Sequence, residues 1–542
     1  MLQLEVQALL IEALGGNIME KIILCGSLLL IFFAVMIGVG VYSRKHATDV
    51  NGFVLGGRSV GPWLTAFAFG TSYFSAVIFV GYAGQFGWNF GVASTWAGLG
   101  NAFIGSLLAW NILGRRTRVM TQHLDAKTMP DFFGKRFDST PLKVAASVIV
   151  FIFLIPYTAS LYNGLSSLFN IAFDIPYWGI ILVMAVLTGF YVIFGGYMAT
   201  AINDFIQGIV MLFGICAVIV AVLNDNGGLV NAMKSLAAVE GDAGWAGAYS
   251  SFLGPDPLAL LFVVILTSLG TWGLPQMVGK FYSIKSEKDI HKGTIISTVF
   301  AIIVAGGCYF LGGFGRLYEP KMSNGKVLFD TVVPKMLENL PIIIIAIVIV
   351  LVLSASMSTL SSLVLTSSST FTLDVINTAV KKEMSDKKQV FIMRIFIVFF
   401  IAVSAILAIV KDAFPEVTFI AQMMGVSWGA LAGAFLAPYL YGLYWKGVTK
   451  VATVVCFIWG CAISIIQMII TLGGVDISGW GTVLSYLFAS SIRSGVLAMV
   501  GGLIIVPVVS MFTKKQDAAE VNAMFACYDE KVEVSVKESL NE

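Results

Sequence analysis

Apolar runs long enough to cross a bilayer recur thirteen times in this chain, at about 22–42, 62–86, 91–113, 141–171, 176–194, 201–223, 257–281, 294–315, 341–378, 390–410, 415–444, 450–472 and 490–512. At a rise of about 1.5 Å per residue, each can cover about 30 Å of hydrocarbon as a helix. Lipid offers no partner to backbone N–H or C=O groups, so such runs must close their hydrogen bonds internally. Composition agrees. Of 542 residues, 58% are hydrophobic and 12% charged, too little charge to clothe a soluble surface. The expected fold class is an all-α polytopic membrane protein. The 341–378 run is too long for one simple crossing, and its end is expected to project from the bilayer as a helix ending near Asp374.

Loop charges give an orientation. Arg44, Lys45 and Arg58 follow the first run; six basic residues from Arg115 to Arg136 follow the third; Lys381, Lys382, Lys387 and Lys388 follow the ninth; Lys514 and Lys515 follow the last. The 224–256 loop carries Asp225, Glu240, Asp242 and Asp256 against a single Lys234. By the positive-inside rule the N-terminus lies outside and the C-terminus in the cytoplasm of a cell membrane. Only the 316–340 loop, with four basic residues, departs from the pattern. Residues 1–18 read as a weakly amphipathic leader, with Met19 as an alternative start. The first run has its basic residues behind it rather than in front, so it reads as an uncleaved span and not as a signal peptide. The polar tail beyond 513 reads as a mobile cytoplasmic tail or a short surface helix.

Two runs are interrupted. Phe69-Gly70-Thr71-Ser72-Tyr73-Phe74-Ser75 puts a glycine and hydroxyls in the middle of 62–86. Thr267-Ser268-Leu269-Gly270-Thr271-Trp272-Gly273-Leu274-Pro275-Gln276 does the same in 257–281. Pro275 has no amide hydrogen, so the helix must break or kink near it. Irregular backbone at membrane depth is tolerated where it lines a cavity or another protein element. With the first run set aside, the interrupted runs are the first and sixth of the remainder. That is the arrangement of a five-plus-five inverted repeat, whose broken helices frame a binding site. Two unrelated kinks are the competing reading.

A third feature lies opposite. The apolar Ile342–Leu353 turns abruptly into a hydroxyl-rich stretch, Ser354 to Asp374. Helical periodicity puts Ser354, Ser358, Ser361 and Ser362 on one face. Uncharged oxygens suit a hard cation; small residues also suit close helix packing. Asp204, at or inside a membrane run, needs either a cation or a basic side chain as partner, unless it sits among the headgroups at a helix N-terminus.

Other chemistries find no support. The six cysteines lack metal or disulfide spacing, and His46, His123 and His291 fall in loops. Gly425-Val426-Ser427-Trp428-Gly429 has the spacing of a nucleophile elbow but lies in a membrane run. No phosphate-binding loop is present, so accumulation would draw on an ion gradient. Neither an enzyme nor a nucleic-acid partner is expected, and no obligatory protein partner is evident. A channel would need a continuous polar pore, and a sensor a longer signalling tail.

Together these residues resemble the sodium/solute symporter family, which includes sodium–glucose cotransporters and bacterial sodium/proline symporters. Three stretches carry the resemblance: Leu55-Gly56-Gly57-Arg58-Ser59; Gly195-Gly196 with Asp204 and Gln207; and Ala355, Ser358, Thr359, Ser361 and Ser362 followed by Ser367, Ser368 and Asp374. The resemblance implies an amino-acid-transporter fold with flanking helices and sodium-coupled alternating access. Its domains would be a leader and first helix at 1–50, a ten-helix core at 51–445, two flanking helices at 446–513 and a tail at 514–542. By position, a first Na+ would take carbonyls of Thr71, Phe74 and Ala355 and hydroxyls of Ser358 and Thr359. A second would take Asp204, Ser358, Ser361 and Ser362, giving two sodium ions per cycle. Tyr73, Ser75, Gln85, Trp272, Gln276 and Gln422 are the candidates to line the solute pocket. Proline symporters of the family carry an Asp where this chain has Tyr73, which removes one acidic partner. The solute is expected to be a small organic molecule: an amino acid, a monocarboxylate or a similar small acid, with a sugar as the alternative. Arg58 is expected to serve a cytoplasmic gate or to anchor at the headgroups.

Overall fold

The computed structural model describes the backbone of residues 2–172, 176–323, 325–380, 384–412 and 419–529; within these, the side chains of residues 2–22, 163, 165–168, 170–172, 323, 326, 411–412 and 419–422 are left aside. The principal helices are α1 (Leu2–Ser43), α2 (Pro62–Tyr73), α3 (Ala83–Phe90), α4 (Arg115–His123), α5 (Met129–Arg136), α6 (Thr140–Ala172), α7 (Tyr177–Asp225), α8 (Pro257–Leu269), α9 (Pro275–Ser283), α10 (Glu287–Ala301), α11 (Ile342–Thr370), α12 (Asp386–Asp412), α13 (Phe419–Tyr444), α14 (Lys450–Gly473), α15 (Ser491–Phe512) and α16 (Ala518–Ala526). One small hairpin, β1 (Met322–Ser323) with β2 (Lys326–Val327), interrupts this all-α architecture in the loop before α11.

Each of the thirteen apolar runs has a helical counterpart. By length and apolarity, ten described helices can cross a membrane, or eleven when the bent pair α8–α9 is taken as one span. The count is lower than thirteen because helical elements run together. Val77–His123 covers the end of one run and all of the next, and the 49-residue α7 covers two. A straight helix of that length would reach about 74 Å, far more than a bilayer needs. Gly196 divides it, at φ 52° and ψ −144°. This backbone region is essentially open to glycine alone. A Cβ there would also lie 2.8 Å from the Phe53 carbonyl oxygen.

The two broken helices come out as expected and are more sharply defined. α2 ends at Tyr73, Phe74 is extended at φ −87° and ψ 118°, and helix resumes after Ser75. α8 tightens into a 3-10 turn over Gly270–Gly273, Leu274 is extended, and α9 starts on Pro275, with a 48° bend across the break. Proline suits that first position, where its missing N–H would have had no helical partner. The two broken helices are stitched together at one end. Val60 and Ile284 form a parallel bridge, with Val60 N donating to Ser283 O at 3.1 Å and Lys285 N to Val60 O at 3.0 Å.

α11 and α13 are the buried centre. Of their most apolar windows, 72% and 89% respectively are buried, against 28% for α1 at the periphery. α11 packs on α7, α6, α2 and α12; α13 packs on α14, α15 and α6.

Loop charges at the α5 end are paired. Asp131 receives Lys143 at 2.9 Å and Lys135 at 3.1 Å. Asp374 accepts Thr128 Oγ1 at 2.6 Å and lies 3.4 Å from Lys143. Burial opposes ionisation of Asp131, but the two lysines outweigh it and hold its carboxyl below the ordinary value. Among the described residues Arg58 meets no carboxylate. It donates to the carbonyls of Ala126 at 2.7 Å, Tyr282 and Thr121, so it clamps the loop before α2 to α4 and α9. The tail begins as the short helix α16. Arg116 stacks over Tyr528 at 4.5 Å, and Arg136 donates to Gln516 at 2.9 Å. Residues 530–542 lie outside the described residues.

Two outcomes follow for stability. Gly196→Ala should cost about 1–3 kcal/mol through its backbone alone, with the clash on Phe53 added. Gly38→Ala, where nothing lies within 4 Å of the new Cβ, should be neutral. Thermal unfolding in detergent measures both, and equal midpoints for the two variants would contradict the assignment. The Asp131 pairs stabilise the fold above the carboxyl's unfolded pKa and are lost as pH falls through its lower folded pKa. Between about pH 6 and pH 3, wild type should therefore lose more thermal stability than Asp131→Asn; equal losses would contradict it.

Candidate functional site

The break in α2 creates the first cluster. In a continuous helix the Phe74 carbonyl would be served by the Ile78 amide, but that amide bonds to Ser75 O at 3.0 Å. Orphan carbonyls at a helix end must find other partners. Here the carbonyls of Thr71 and Phe74 turn toward α11. Thr359 Oγ1 lies 3.2 Å from both, and 3.1 Å from the Ala355 carbonyl of its own helix. Ser358 Oγ lies 3.2 Å from Thr71 O, 3.2 Å from Ala355 O and 2.9 Å from Ser354 O. Each hydroxyl carries one proton and can satisfy one carbonyl. The remaining oxygens face one another as acceptors with too few protons among them. A cation placed among them would remove that deficit, and the carbonyls of Thr71, Phe74 and Ala355 with the hydroxyls of Ser358 and Thr359 suit a hard ion. Thr71, Ser358 and Thr359 are fully buried.

The second cluster is of another kind. Asp204, on α7, is fully buried and faces Lys280 of α9, whose Nζ lies 3.5 Å from Oδ2. Lys280 also donates to Ser362 Oγ at 3.0 Å and lies 5.3 Å from the centre of the Tyr197 ring. Of the two partners the sequence allowed Asp204, the structure places the basic side chain beside it. Lys280 was not singled out in the sequence, although it falls inside the 257–281 run. Ser362 Oγ in turn meets Ser72 Oγ at 2.7 Å, and Ser72 donates to Ala68 O at 2.5 Å. Ser361 Oγ donates to Ser358 O at 2.9 Å. Burying a lone carboxylate costs several kcal/mol, and a nearby opposite charge offsets much of it.

Candidate solute-lining residues separate into groups. Tyr73 and Ser75 sit at the α2 break, with the Tyr73 ring 6.2 Å from Trp428 of α13, which in turn meets Tyr157 edge-on at 6.1 Å. The Tyr73 hydroxyl is buried without a hydrogen-bond partner among the described residues. Gln276 is 2% exposed, and both its amide atoms are likewise unpartnered. It follows the α9 break and, one helical turn before Lys280, lines a cavity of about 50 Å³ together with Lys280, Ser362 and Tyr197. Trp272 donates its indole N–H to Ile104 O at 3.0 Å. Gln85 lies apart from the α2 break, in a cavity of about 420 Å³ lined also by Asn89, Asp256, Gln467 and Arg493. The Gln422 side chain lies outside the described residues. Tyr157 and Trp428 were not singled out; only the fold brings them to the α2 break.

Comparison with known proteins places this architecture. The family model described as the sodium:solute symporter family matches residues 53–460. The osmoregulated proline transporter OpuE of Bacillus subtilis is 30% identical over 493 residues, covering 90% of this chain and 94% of that protein. A sodium/proline symporter of Staphylococcus aureus is 31% identical over 451 residues, covering 80% and 84%. In the solved structure of a Na+-coupled sialic acid symporter, captured substrate-bound and outward-open, the chain has a counterpart with a TM-score of 0.70 at 16% identity, covering 91% of this chain and 98% of that one. The shared fold is the five-plus-five inverted-repeat transporter core. This chain is a membrane protein of the sodium:solute symporter family.

Proposed function

We propose that the protein imports a small organic solute together with sodium, by alternating access across the cell membrane. One observation carries this reading: the acceptor-rich cluster of Thr71, Phe74, Ala355, Ser358 and Thr359, built from both sides of the α2 break. A sodium ion bound there would tie the broken α2 to α11 and organise Tyr73 and Ser75, two and four residues past Thr71. Solute binding would be strengthened by the ion, and ion binding by the solute, to the same factor. Inward movement of each sodium supplies about 2.3 kcal/mol per 100 mV of membrane potential, besides its concentration gradient. The N-terminus is assigned to the outside and the C-terminus to the cytoplasm, so the cavity at Gln85 would face outward and the Arg58 clamp inward. The boundaries 1–50, 51–445, 446–513 and 514–542 are kept as the working division of the chain.

For the solute we propose a small organic acid, either an amino acid or a monocarboxylate. The relatives named for proline support an amino acid. Tyr73 at the break supplies a neutral hydroxyl, and the unpartnered amide of Gln276 can serve a carboxylate or an amine. The second sodium implied by resemblance is not assigned here, because Lys280 stands within hydrogen-bond reach of Ser362 and beside Asp204.

Purified protein in proteoliposomes, given an inward sodium gradient and a panel of labelled amino acids and monocarboxylates beginning with proline, tests the reading. Saturable uptake that collapses when sodium is replaced by potassium is expected. Uptake insensitive to sodium, or flux that does not saturate, would contradict it. Removing one oxygen ligand with Ser358→Ala or Thr359→Ala should weaken the sodium dependence about 10- to 100-fold, on the basis of about 1–3 kcal/mol per lost partner. Unchanged sodium affinity in both variants would place the ion elsewhere.

A further inference from the structure

The two oxygen clusters differ in their supply of protons. At Thr71–Thr359 the acceptors outnumber the donors. At Asp204 a three-donor ammonium stands 3.5 Å from Oδ2, an ion-pair distance that leaves both carboxylate oxygens without a hydrogen bond among the described residues. Lys280 Nζ donates to Ser362 Oγ at 3.0 Å. Ser72 gives its proton to Ala68 O, so the 2.7 Å contact between Ser72 and Ser362 leaves Ser362 as the donor. The hydrogen bonds therefore run one way: Lys280 to Ser362, Ser362 to Ser72, Ser72 to Ala68. A hydroxyl has one proton and two lone pairs, and Ser362 has committed its proton and one lone pair. Ser361 donates to Ser358 O, and Ser358 takes part in the first cluster.

Charge points the same way. Among the described residues, Lys280 is the one ion-pair partner of Asp204, and their side chains are 4% and 0% exposed. The pair is neutral. A sodium ion added to it would leave a net positive charge in a dry site, next to an ammonium with little water to screen the repulsion. The tether also has a mechanical consequence. Lys280 sits on α9, the second half of the second broken helix, and holds Asp204 of α7 and Ser362 of α11. Ser362 reaches Ser72 of α2. In this structure the chain's own cation thus joins both broken helices to α7 and α11.

We propose that Lys280 is a tethered second cation, taking the place that the family resemblance gives to a second sodium ion, so that one sodium is bound and carried per cycle. This inference rests on the sodium-symport reading above but fails separately from it. The cavity of about 50 Å³ lined by Gln276, Lys280 and Ser362 would let a small ion reach Asp204 once the lysine is shortened.

Equilibrium binding of radioactive sodium to the purified full-length protein counts the ions directly and needs no solute. Wild type should bind one ion per molecule, and Thr359→Ala should weaken that binding about 10- to 100-fold. Lys280→Gln should bind two, Lys280→Arg one, and the neutral pair Asp204→Asn/Lys280→Gln one. Two ions in wild type would overturn the proposal, as would a count that stays at one in a folded Lys280→Gln. The wild-type count decides the matter even if Lys280→Gln does not fold. No saturable sodium binding in wild type would instead sink the symport reading itself.

Discussion

A helix broken inside a membrane releases backbone carbonyls that lipid cannot serve, and the rest of this architecture is arranged around serving them. The extended Phe74 ends α2 and turns its carbonyls toward α11. Everything that brings α11 close enough is small or hydroxylated: Ala355, Ser358 and Thr359 on one turn, Ser361 and Ser362 on the next. A bulkier face would hold the helices apart, and an apolar one would strand the carbonyls. Hydroxyls alone do not complete the site, because each brings one proton to several acceptors. That shortage is what would draw a cation to the first cluster without any charged side chain there.

The neighbouring cluster solves a related problem with a charge. Two unit charges 4 Å apart interact by about 4 kcal/mol at an effective dielectric constant near 20. That is enough to keep Asp204 and Lys280 together and to disfavour a further cation beside them. The two clusters lie one turn apart on α11. On the proposal above, the first would release its ion and the second would keep its lysine, so only the first would respond to a sodium gradient. A permanent link through Lys280 would keep the two broken helices in register while an exchangeable link at Thr71 and Phe74 forms and dissolves.

Much of this was legible in the sequence. The breaks announced themselves through Gly70, Pro275 and the hydroxyls around them, since few other residues interrupt an apolar helix at mid-membrane. Helical periodicity put the α11 hydroxyls on one face, where the structure keeps them. Lys280 was not legible. It stands at the end of an apolar run, where a lysine ordinarily snorkels to the headgroups, and only the packing of α9 against α2, α4 and α11 turns it inward. An unpaired Asp204 was the available signal, since a buried carboxylate calls for a cation somewhere in the spans. The solute pocket was legible only in part. Tyr73 was marked by the break, whereas Tyr157 and Trp428 arrive from helices far along the chain, and Gln85 is carried away because α3 climbs out of the break into another cavity.

The most direct measurement is an experimental structure at a resolution that distinguishes ions, determined in sodium and again in thallium, whose scattering marks monovalent cation sites. A single cation peak per molecule is expected, within coordination distance of the Thr71, Phe74 and Ala355 carbonyls and the Ser358 and Thr359 hydroxyls, with the Lys280 ammonium still on Asp204 and Ser362. A peak at Asp204 with Lys280 turned away, or no peak at the α2 break, would contradict it.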